Sequence, residues 1–420
     1  MEYALESAVN IQDDVLQQEL SQTSDEKMKS IISTIQKEQN LIIRNEKMGT
    51  LIIQGVAGSG KTSIALHRIA FLLYRFKDRL SANNVTILSP NKVFSDYISS
   101  VLPELGEEPI FEIAFEDIAN IQLEGIIDFE TDKEPFATTD AAWVERTQFK
   151  ASLDFVKLMD DFIARIPDTI FVPVDYTYGR FNITSDNLRT RFEAYGRHSV
   201  KRRLQMMADD IYDRFDTDNF MEEDIPQKRT ILKELKDMLK VKNTLALYKI
   251  FYKELGNPKL FVMAGKRKLE WADVFPFLYL HAAYEGLQES SMIRHLVVDE
   301  MQDYSPIQYA VLNKLFPCQK TILGDFSQAI NPNRRHTLDD LMQLYEGAQI
   351  VKLNTSYRSS YEIISFANQI QPNDELKAIE LHGPVPEIIG CDSKQMLIKM
   401  LHSFISSYKQ SKYKKLGIIV

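Results

Sequence analysis

Runs of consecutive apolar residues, each closing on a glycine or a polar residue, punctuate both flanks of this chain. LIIQG (51–55) reads as a short buried strand running into a glycine-rich turn, and TSIALHRIAFLLYRF, from Thr62 to about Phe76, reads as a strongly apolar helix. NVTILSP (84–90) is the next strand, ended by Pro90. A strand–turn–helix–strand order implies a parallel sheet with right-handed crossovers. HLVVDE (295–300), KTILGD (320–325) and QIVKLN (349–354) are three more apolar, β-branched runs with polar ends. In a parallel sheet such ends line up along one edge, where ligands bind.

The middle, roughly 106–290, has another texture. It holds acidic-aromatic stretches, long charged helices over 230–255, and a PDTIFVPVDYTYGRFNIT segment (167–184) that reads as a β-hairpin. This predicts an insertion folded apart from the sheet, with KRKLEWADVFPFLYL as the helix that returns from it. Phe111, Phe115, Trp143 and Phe149 read as core rather than as stacking platforms. Upstream, Met28, Ile31, Ile32, Ile35, Leu41 and Ile42 recur near helical spacing, predicting a helix over 26–48. The last residues, KKLGIIV (414–420), look like a strand that has just begun, so a truncated second domain is expected.

Composition narrows the class. At 420 residues the chain is long enough for two or three domains at roughly 150 residues each. A hydrophobic fraction of 44% and a charged fraction of 26% are those of a globular protein. No apolar run approaches the roughly 18 residues of a membrane helix, and the acidic start is unlike a signal peptide. Cys318 and Cys391 alone make no metal site, and a reducing, cytoplasmic setting fits best. The net charge of −9 disfavours tight nonspecific duplex binding and requires any nucleic-acid grip to be local. The densest basic patch, Arg197, His198, Lys201, Arg202 and Arg203, reads either as such a contact, as a seat for an acidic protein surface, or as a solvated helix face.

Four motifs carry chemistry. Gly55-Val-Ala-Gly58-Ser59-Gly60-Lys61-Thr62 matches G-x-x-x-x-G-K-[ST] in full, placed between an apolar strand and an apolar helix. Its glycines let backbone N–H groups face inward as an anion nest, and the helix adds its positive end. Lys61 suits the β and γ phosphates of ATP, and Thr62 offers a hydroxyl to Mg²⁺. Asp299 ends a strand where a carboxylate can hold Mg²⁺ through water, and Glu300 beside it can polarise an attacking water. Gly324-Asp325-Phe-Ser-Gln328 ends another strand: Asp325 reads as a helix N-cap, Gln328 as a γ-phosphate sensor. In Leu353-Asn354-Thr355-Ser356-Tyr357-Arg358-Ser359 the forked Arg358 suits a phosphate in transfer.

These motifs, in this order, resemble the UvrD/Rep branch of superfamily 1 DNA helicases. VVDEMQDYSPIQ is similar to its DExQD motif, GDFSQAI to GDxxQ and LNTSYRSS to its YRS motif. Gln39, sixteen positions before Gly55, lies where that branch places an adenine-reading glutamine. The resemblance implies that Gln39 contacts the adenine amide and Tyr357 stacks on the base. Gly55, Gly58, Ser59, Gly60, Lys61, Thr62 and Ser63 would line the phosphate loop, and Thr62 and Asp299 would hold Mg²⁺. Glu300, Gln328 and Arg358 would complete catalysis, while Ser89 and Asn91 sit at the strand-contacting position. Ser63 stands where most members of the branch have arginine. With KMKSIISTIQKEQNLIIRN and QGVAGSGKTSIALHRIAFLLYRF, this points to the helicase IV/HelD group, whose members associate with RNA polymerase.

The implied fold is α/β: a RecA-like P-loop parallel sheet with a large, mainly helical insertion and the start of a second RecA-like lobe. The expected boundaries are 1–105 and 291–347 for the two parts of the first lobe, 106–290 for the insertion or arm, and 348–420 for the second. By this resemblance the chain is truncated at both ends, which would leave nucleotide binding intact and make hydrolysis weak. Three readings compete: a 3′–5′ translocase on single-stranded DNA, a factor that releases RNA polymerase, and a non-catalytic nucleotide-binding fragment. No membrane role is expected.

Overall fold

The computed structural model describes residues 39–47, 49–90, 110–133, 140–179, 181–217, 225–288, 290–334, 336–411 and 416–418. The chain divides into two compact units, 1–354 and 355–420.

The first unit is built on six strands: β1 (Thr50–Gly55), β2 (Val85–Leu88), β3 (Phe111–Ile113), β4 (His295–Val298), β5 (Gln319–Gly324) and β6 (Gln349–Leu353), in spatial order β6-β1-β5-β4-β2-β3. Every pairing is parallel. Burial on both faces is why these strands read as unbroken apolar runs. Their alternate residues serve two cores. Leu51, Ile53, Ile87, Val297 and Leu323 pack on one side with Ile64, Ala65, Ile69 and Leu73 of helix α1 (Lys61–Arg75). Ile52, Leu88, Leu296, Val298 and Ile322 face the other core.

That second core contains the insertion. Its helices are α2 (Phe115–Leu123), α3 (Ala141–Lys150), α4 (Leu153–Ile170), α5 (Ser185–Ala194), α6 (Val200–Thr217), α7 (Lys228–Asp237), α8 (Thr244–Glu254) and α9 (Trp271–Tyr284). Helices α10 (Pro306–Leu315) and α11 (Leu338–Leu344) follow within the sheet region. Helix α9 is apolar almost all round and is buried on nearly every face, touching α2, α3, α4, α8 and α10. One continuous cluster therefore runs from Ile52 and Val298 to Phe155 and Phe251.

This corrects three expectations. The insertion is not folded apart from the sheet, because α9 needs apolar partners on all sides and finds them in both. It begins after β3, not at 106, since Phe111–Ile113 pairs with β2. The boundary expected before 348 falls after Asn354, because β6 is hydrogen-bonded to β1 as an edge strand. The hairpin is present as Tyr176–Tyr178 against Phe181–Ile183, but 167–170 finishes α4 instead. The charged stretch 230–255 forms helices as expected, α7 and α8. Of the helix expected over 26–48, residues 39–43 are helical and 1–38 lie outside the described residues.

In the second unit, Thr355–Ser356 pairs in parallel with Lys377–Ala378, accompanied by helices α12 (Tyr361–Ile370) and α13 (Lys394–Lys409). Residues 416–418 are irregular, and the rest of the strand expected over 414–420 lies outside the described residues. Among the described residues no helix is long and apolar enough to cross a membrane.

The second core encloses a charge pair. Lys150 Nζ lies 2.7 Å from Asp273 Oδ2, both essentially buried. Tyr248 donates its hydroxyl to Asp273 Oδ1 at 2.7 Å, and Arg146 grips Glu270 with two bonds of 2.8 and 3.2 Å. Burial raises the Asp273 pKa and Lys150 opposes the rise. Lys150→Met leaves a lone buried carboxylate and is expected to cost about 3–5 kcal/mol at neutral pH. The variant's Asp273 then folds in its neutral form, which takes up a proton, so the loss shrinks as pH falls towards 5. Urea unfolding at pH 7.5 and 5.5 checks this; equal losses at both would contradict it.

Candidate nucleotide-binding site

Because the strands share direction and register, with Gln54 opposite Gly324 and Val298 opposite both Ile322 and Leu88, their ends open on one edge. The residues singled out for chemistry follow directly from those ends.

Beyond β1 the chain turns sharply into α1. Gly60, at φ 81°, sits in the left-handed region as the N-cap of α1. A Cβ on Gly55 would stand 2.6 Å from Ser59 Oγ and 2.8 Å from Lys61 Cγ, so the turn closes only around glycine. Lys61 Nζ donates to the carbonyls of Gly55 (2.8 Å) and Val56 (3.2 Å). Ser59 is 1% exposed and its hydroxyl has no partner. The first turn of α1 carries no acidic residue, which leaves its positive end free for an anion. Thr62 is exposed on that turn and Ser63 is half-buried.

Across the edge, Asp299 follows β4 at 6% exposure, its N–H held by the Leu88 carbonyl at 2.9 Å. Burial pushes its carboxyl up to about 7; the Glu300 charge adds to the rise and Lys61 opposes it. Lys61 and Asp299 thus face one another across the same edge. Glu300 is a non-glycine residue at φ 50°, a conformation costing roughly 1–2 kcal/mol. Its Oε2 accepts from Gln302 Nε2 at 2.8 Å. Gln302 Oε1 in turn accepts the Asp325 N–H at 2.9 Å. A Cβ on Gly324 would meet that Oε1 at 2.4 Å and Met301 N at 2.5 Å, so the two acidic loops interlock only over a glycine.

Asp325 caps the turn over Phe326–Gln328 as expected, accepting from Ser327 N at 3.0 Å. It also accepts Gln328 Nε2 at 2.6 Å and Gln54 Nε2 at 2.9 Å. Gln54 therefore ties the P-loop strand to the loop carrying Gln328. Sequence reasoning passed over it, although a single polar residue in LIIQG was the signal.

Gln39 lies in the helical stretch 39–43, with its amide nitrogen 3.3 Å from where a Gly60 Cβ would be. What holds it there is Arg68, another residue not singled out. The buried Arg68 guanidinium donates to the carbonyls of Ile42 (2.9 Å) and Asn45 (2.6 Å) and to Thr321 Oγ1 (3.2 Å). Burial lowers its pKa to about 10. One side chain thereby fastens the end of the Gln39 helix to α1 and β5.

Ser89 is buried at the end of β2, its N–H bonded to the Ile113 carbonyl at 3.2 Å, while Asn91 lies outside the described residues. Tyr357 and Arg358 follow Thr355–Ser356 in the second unit. Among the described residues no group of three or more His, Cys, Asp or Glu side chains is placed to hold a metal. The Thr62 hydroxyl and the Asp299 carboxylate fit a Mg²⁺ that takes most of its ligands from phosphate and water.

A parallel sheet with this turn and these acidic strand ends defines a P-loop nucleoside-triphosphate-binding fold. Comparison with known proteins is more specific. Residues 180–348, which include DExQD and GDxxQ, match the UvrD/REP helicase N-terminal domain. The chain is 37% identical over 89 residues, 20% of its length, to the ATP-dependent DNA helicase srs2 of Schizosaccharomyces pombe. It is 30% identical over 86 residues, 19% of its length, to the putative ATP-dependent DNA helicase YjcD of Bacillus subtilis. The matched region spans 10% of the first relative and 11% of the second.

Two outcomes test this geometry. Asp299 has a folded pKa above its unfolded value, so stability declines as pH rises from about 4 to 7 and is flat above. Asp299→Asn should stabilise the empty protein by about 2–4 kcal/mol at pH 8 and by little near pH 4, read by urea unfolding. A pH-independent effect would contradict the buried carboxylate. Gly324→Ala should cost about 1–3 kcal/mol through its clash with Gln302 and Met301, measured the same way.

Proposed function

We propose that this chain is the ATP-binding motor core of a superfamily 1 DNA helicase or translocase, coupling ATP hydrolysis to movement along single-stranded nucleic acid. The observation that carries the reading is that Lys61, Asp299 and the Gln54–Asp325–Gln328 linkage occupy one edge of one parallel sheet. The helicase-domain match over 180–348 and the two helicase relatives support it.

Each residue then has a defined task. Lys61 exchanges the Gly55 and Val56 carbonyls for the β and γ phosphate oxygens, a charge-assisted contact stronger than the one it leaves. The Ser59 hydroxyl and the first N–H groups of α1 complete the cradle. Bound Mg²⁺ would neutralise phosphate charge beside Thr62 and Asp299. Glu300, held by the Gln302 amide, accepts the proton of the attacking water. Gln328 meets the γ-phosphate, and its bond to Asp325 passes any shift to Gln54 and to the Gln302 loop. Gln39 reads adenine, while Tyr357 and Arg358 keep the roles that the resemblance implies for them. Movement 3′ to 5′ and a cytoplasmic setting belong to the same reading.

A role in freeing RNA polymerase, as in the HelD group, is the second reading. It draws on the helicase IV/HelD-like strings around Gln39 and the P-loop and on the acidic, helical insertion. The described part of that insertion shares a core with the sheet, which favours the nucleic-acid reading over a prying arm.

The test is phosphate release with Mg²⁺·ATP and single-stranded DNA, beside fluorescent-nucleotide binding. Glu300→Gln should retain nucleotide binding and lose about 10²–10⁴-fold in turnover, whereas Lys61→Ala should lose binding. Undiminished turnover by Glu300→Gln would overturn the assignment. Binding without turnover in the parent protein would favour the non-catalytic alternative, and capture of core RNA polymerase without DNA binding the second reading.

A further inference from the structure

The basic patch noted in the sequence becomes a cleft in the fold, far from the nucleotide. The segment 196–199, the start of α6, the apolar Ile163, Ile166 and Pro167 of α4, the C-terminal turn of α9 with the residues after it, and Lys314 of α10 surround a cavity of about 510 Å³. Helix α10 leaves the DExQD loop at the nucleotide edge and runs back, so Lys314, near its far end, lies towards the start of β5. The cleft is at the opposite edge of the sheet.

Its wall is built rather than incidental. Arg203, 9% exposed, donates to the carbonyls of His198 (2.9 Å) and Gly196 (2.7 Å), and its guanidinium lies 5.0 Å from the centre of the Phe192 ring. Those bonds shape the loop that carries Arg197 and His198. Ser199 ties the loop to α9 by donating to the Glu285 carbonyl at 3.0 Å. Glu285 pairs with Lys201 at 2.5 Å, Asp160 accepts from Tyr279 at 2.6 Å, and Asp168 faces Arg203. Arg197, Arg202 and Lys314 form no ion pair among the described residues; the Arg202 guanidinium donates to the neutral Gln205, and Lys314 sits over the Tyr279 ring at 4.7 Å and faces Asp160. In a protein of net charge −9, Arg197 and Arg202, neither of them ion-paired among the described residues, give this concavity a local positive field that attracts an anion.

We propose that this cleft binds the phosphate backbone of a nucleic-acid strand, as a second grip on the far side of the sheet from the nucleotide; the inference rests on the motor reading above. Paired guanidinium forks at Arg197 and Arg202 match phosphate oxygens.

The test uses the full chain and fluorescence anisotropy of a labelled single-stranded oligonucleotide and of a blunt hairpin duplex, titrated at several KCl concentrations. Arg197→Glu/Arg202→Glu/Lys314→Glu is compared with a charge-matched control, Lys249→Glu/Lys253→Glu/Lys259→Glu. Circular dichroism verifies folding, and fluorescent-nucleotide binding reports the P-loop. The cleft variant should lose at least tenfold in affinity relative to the control. Its salt slope should fall by about 2–3, since each lost phosphate contact removes roughly 0.7–0.9, with nucleotide binding unchanged. The arm with the larger loss identifies single strand or duplex as the occupant. Equal losses in cleft and control variants overturn the cleft while leaving the motor reading intact. No DNA binding by the parent overturns both. Displacement of DNA by polyglutamate of equal charge, only when the cleft is intact, overturns the proposal in favour of an acidic polypeptide.

Discussion

Parallel pairing makes every strand of this sheet release its backbone at the same edge, and that constraint brings together residues hundreds of positions apart. Gly55, Leu88, Val298 and Gly324 end four strands in mutual register, so the turn before Lys61 and the carboxylate of Asp299 have no other place to go. The apolar alternation that fixes the register also decides which core each residue enters. A slip of one residue would exchange the two cores and separate the loops.

Local cost concentrates at that edge. Glu300 takes a left-handed backbone, Asp299 keeps a buried carboxyl near neutrality, and Ser59 buries a hydroxyl without a partner. Each of these features costs the fold, and a phosphate or a divalent cation in the cradle would offset it. Buried charge elsewhere is treated differently. Lys150–Asp273 and Arg146–Glu270 are paired, and Arg68 spends its donors on carbonyls that would otherwise end a helix unsatisfied.

Much of this edge was legible in the sequence because buried parallel strands and a glycine turn leave strong, local signals. LIIQG, HLVVDE and KTILGD each appear as strands within a residue or two of their reading, and the N-cap role of Asp325 is present. What escaped depends on long-range partners. Phe111–Ile113 is a three-residue edge strand with one buried side chain, so nothing in its pattern separates it from the insertion. Gln349–Leu353 looks like the opening of a new domain until its pairing with β1 is seen. The insertion seemed independent because its own stretches are acidic, whereas α9, apolar all round, welds it to the sheet. Gln54 and Arg68 gain their roles only from atoms more than twenty positions away.

The central claim is that one triphosphate and one metal ion lie between the Gly55–Thr62 turn and Asp299. The most direct measurement is an anomalous difference map from crystals grown with Mn²⁺ and a non-hydrolysable ATP analogue. The account predicts a manganese peak within coordinating reach of the Thr62 hydroxyl or the Asp299 carboxylate, with the Lys61 ammonium on the terminal phosphates. A nucleotide held elsewhere, or a metal remote from that strand edge, would contradict it.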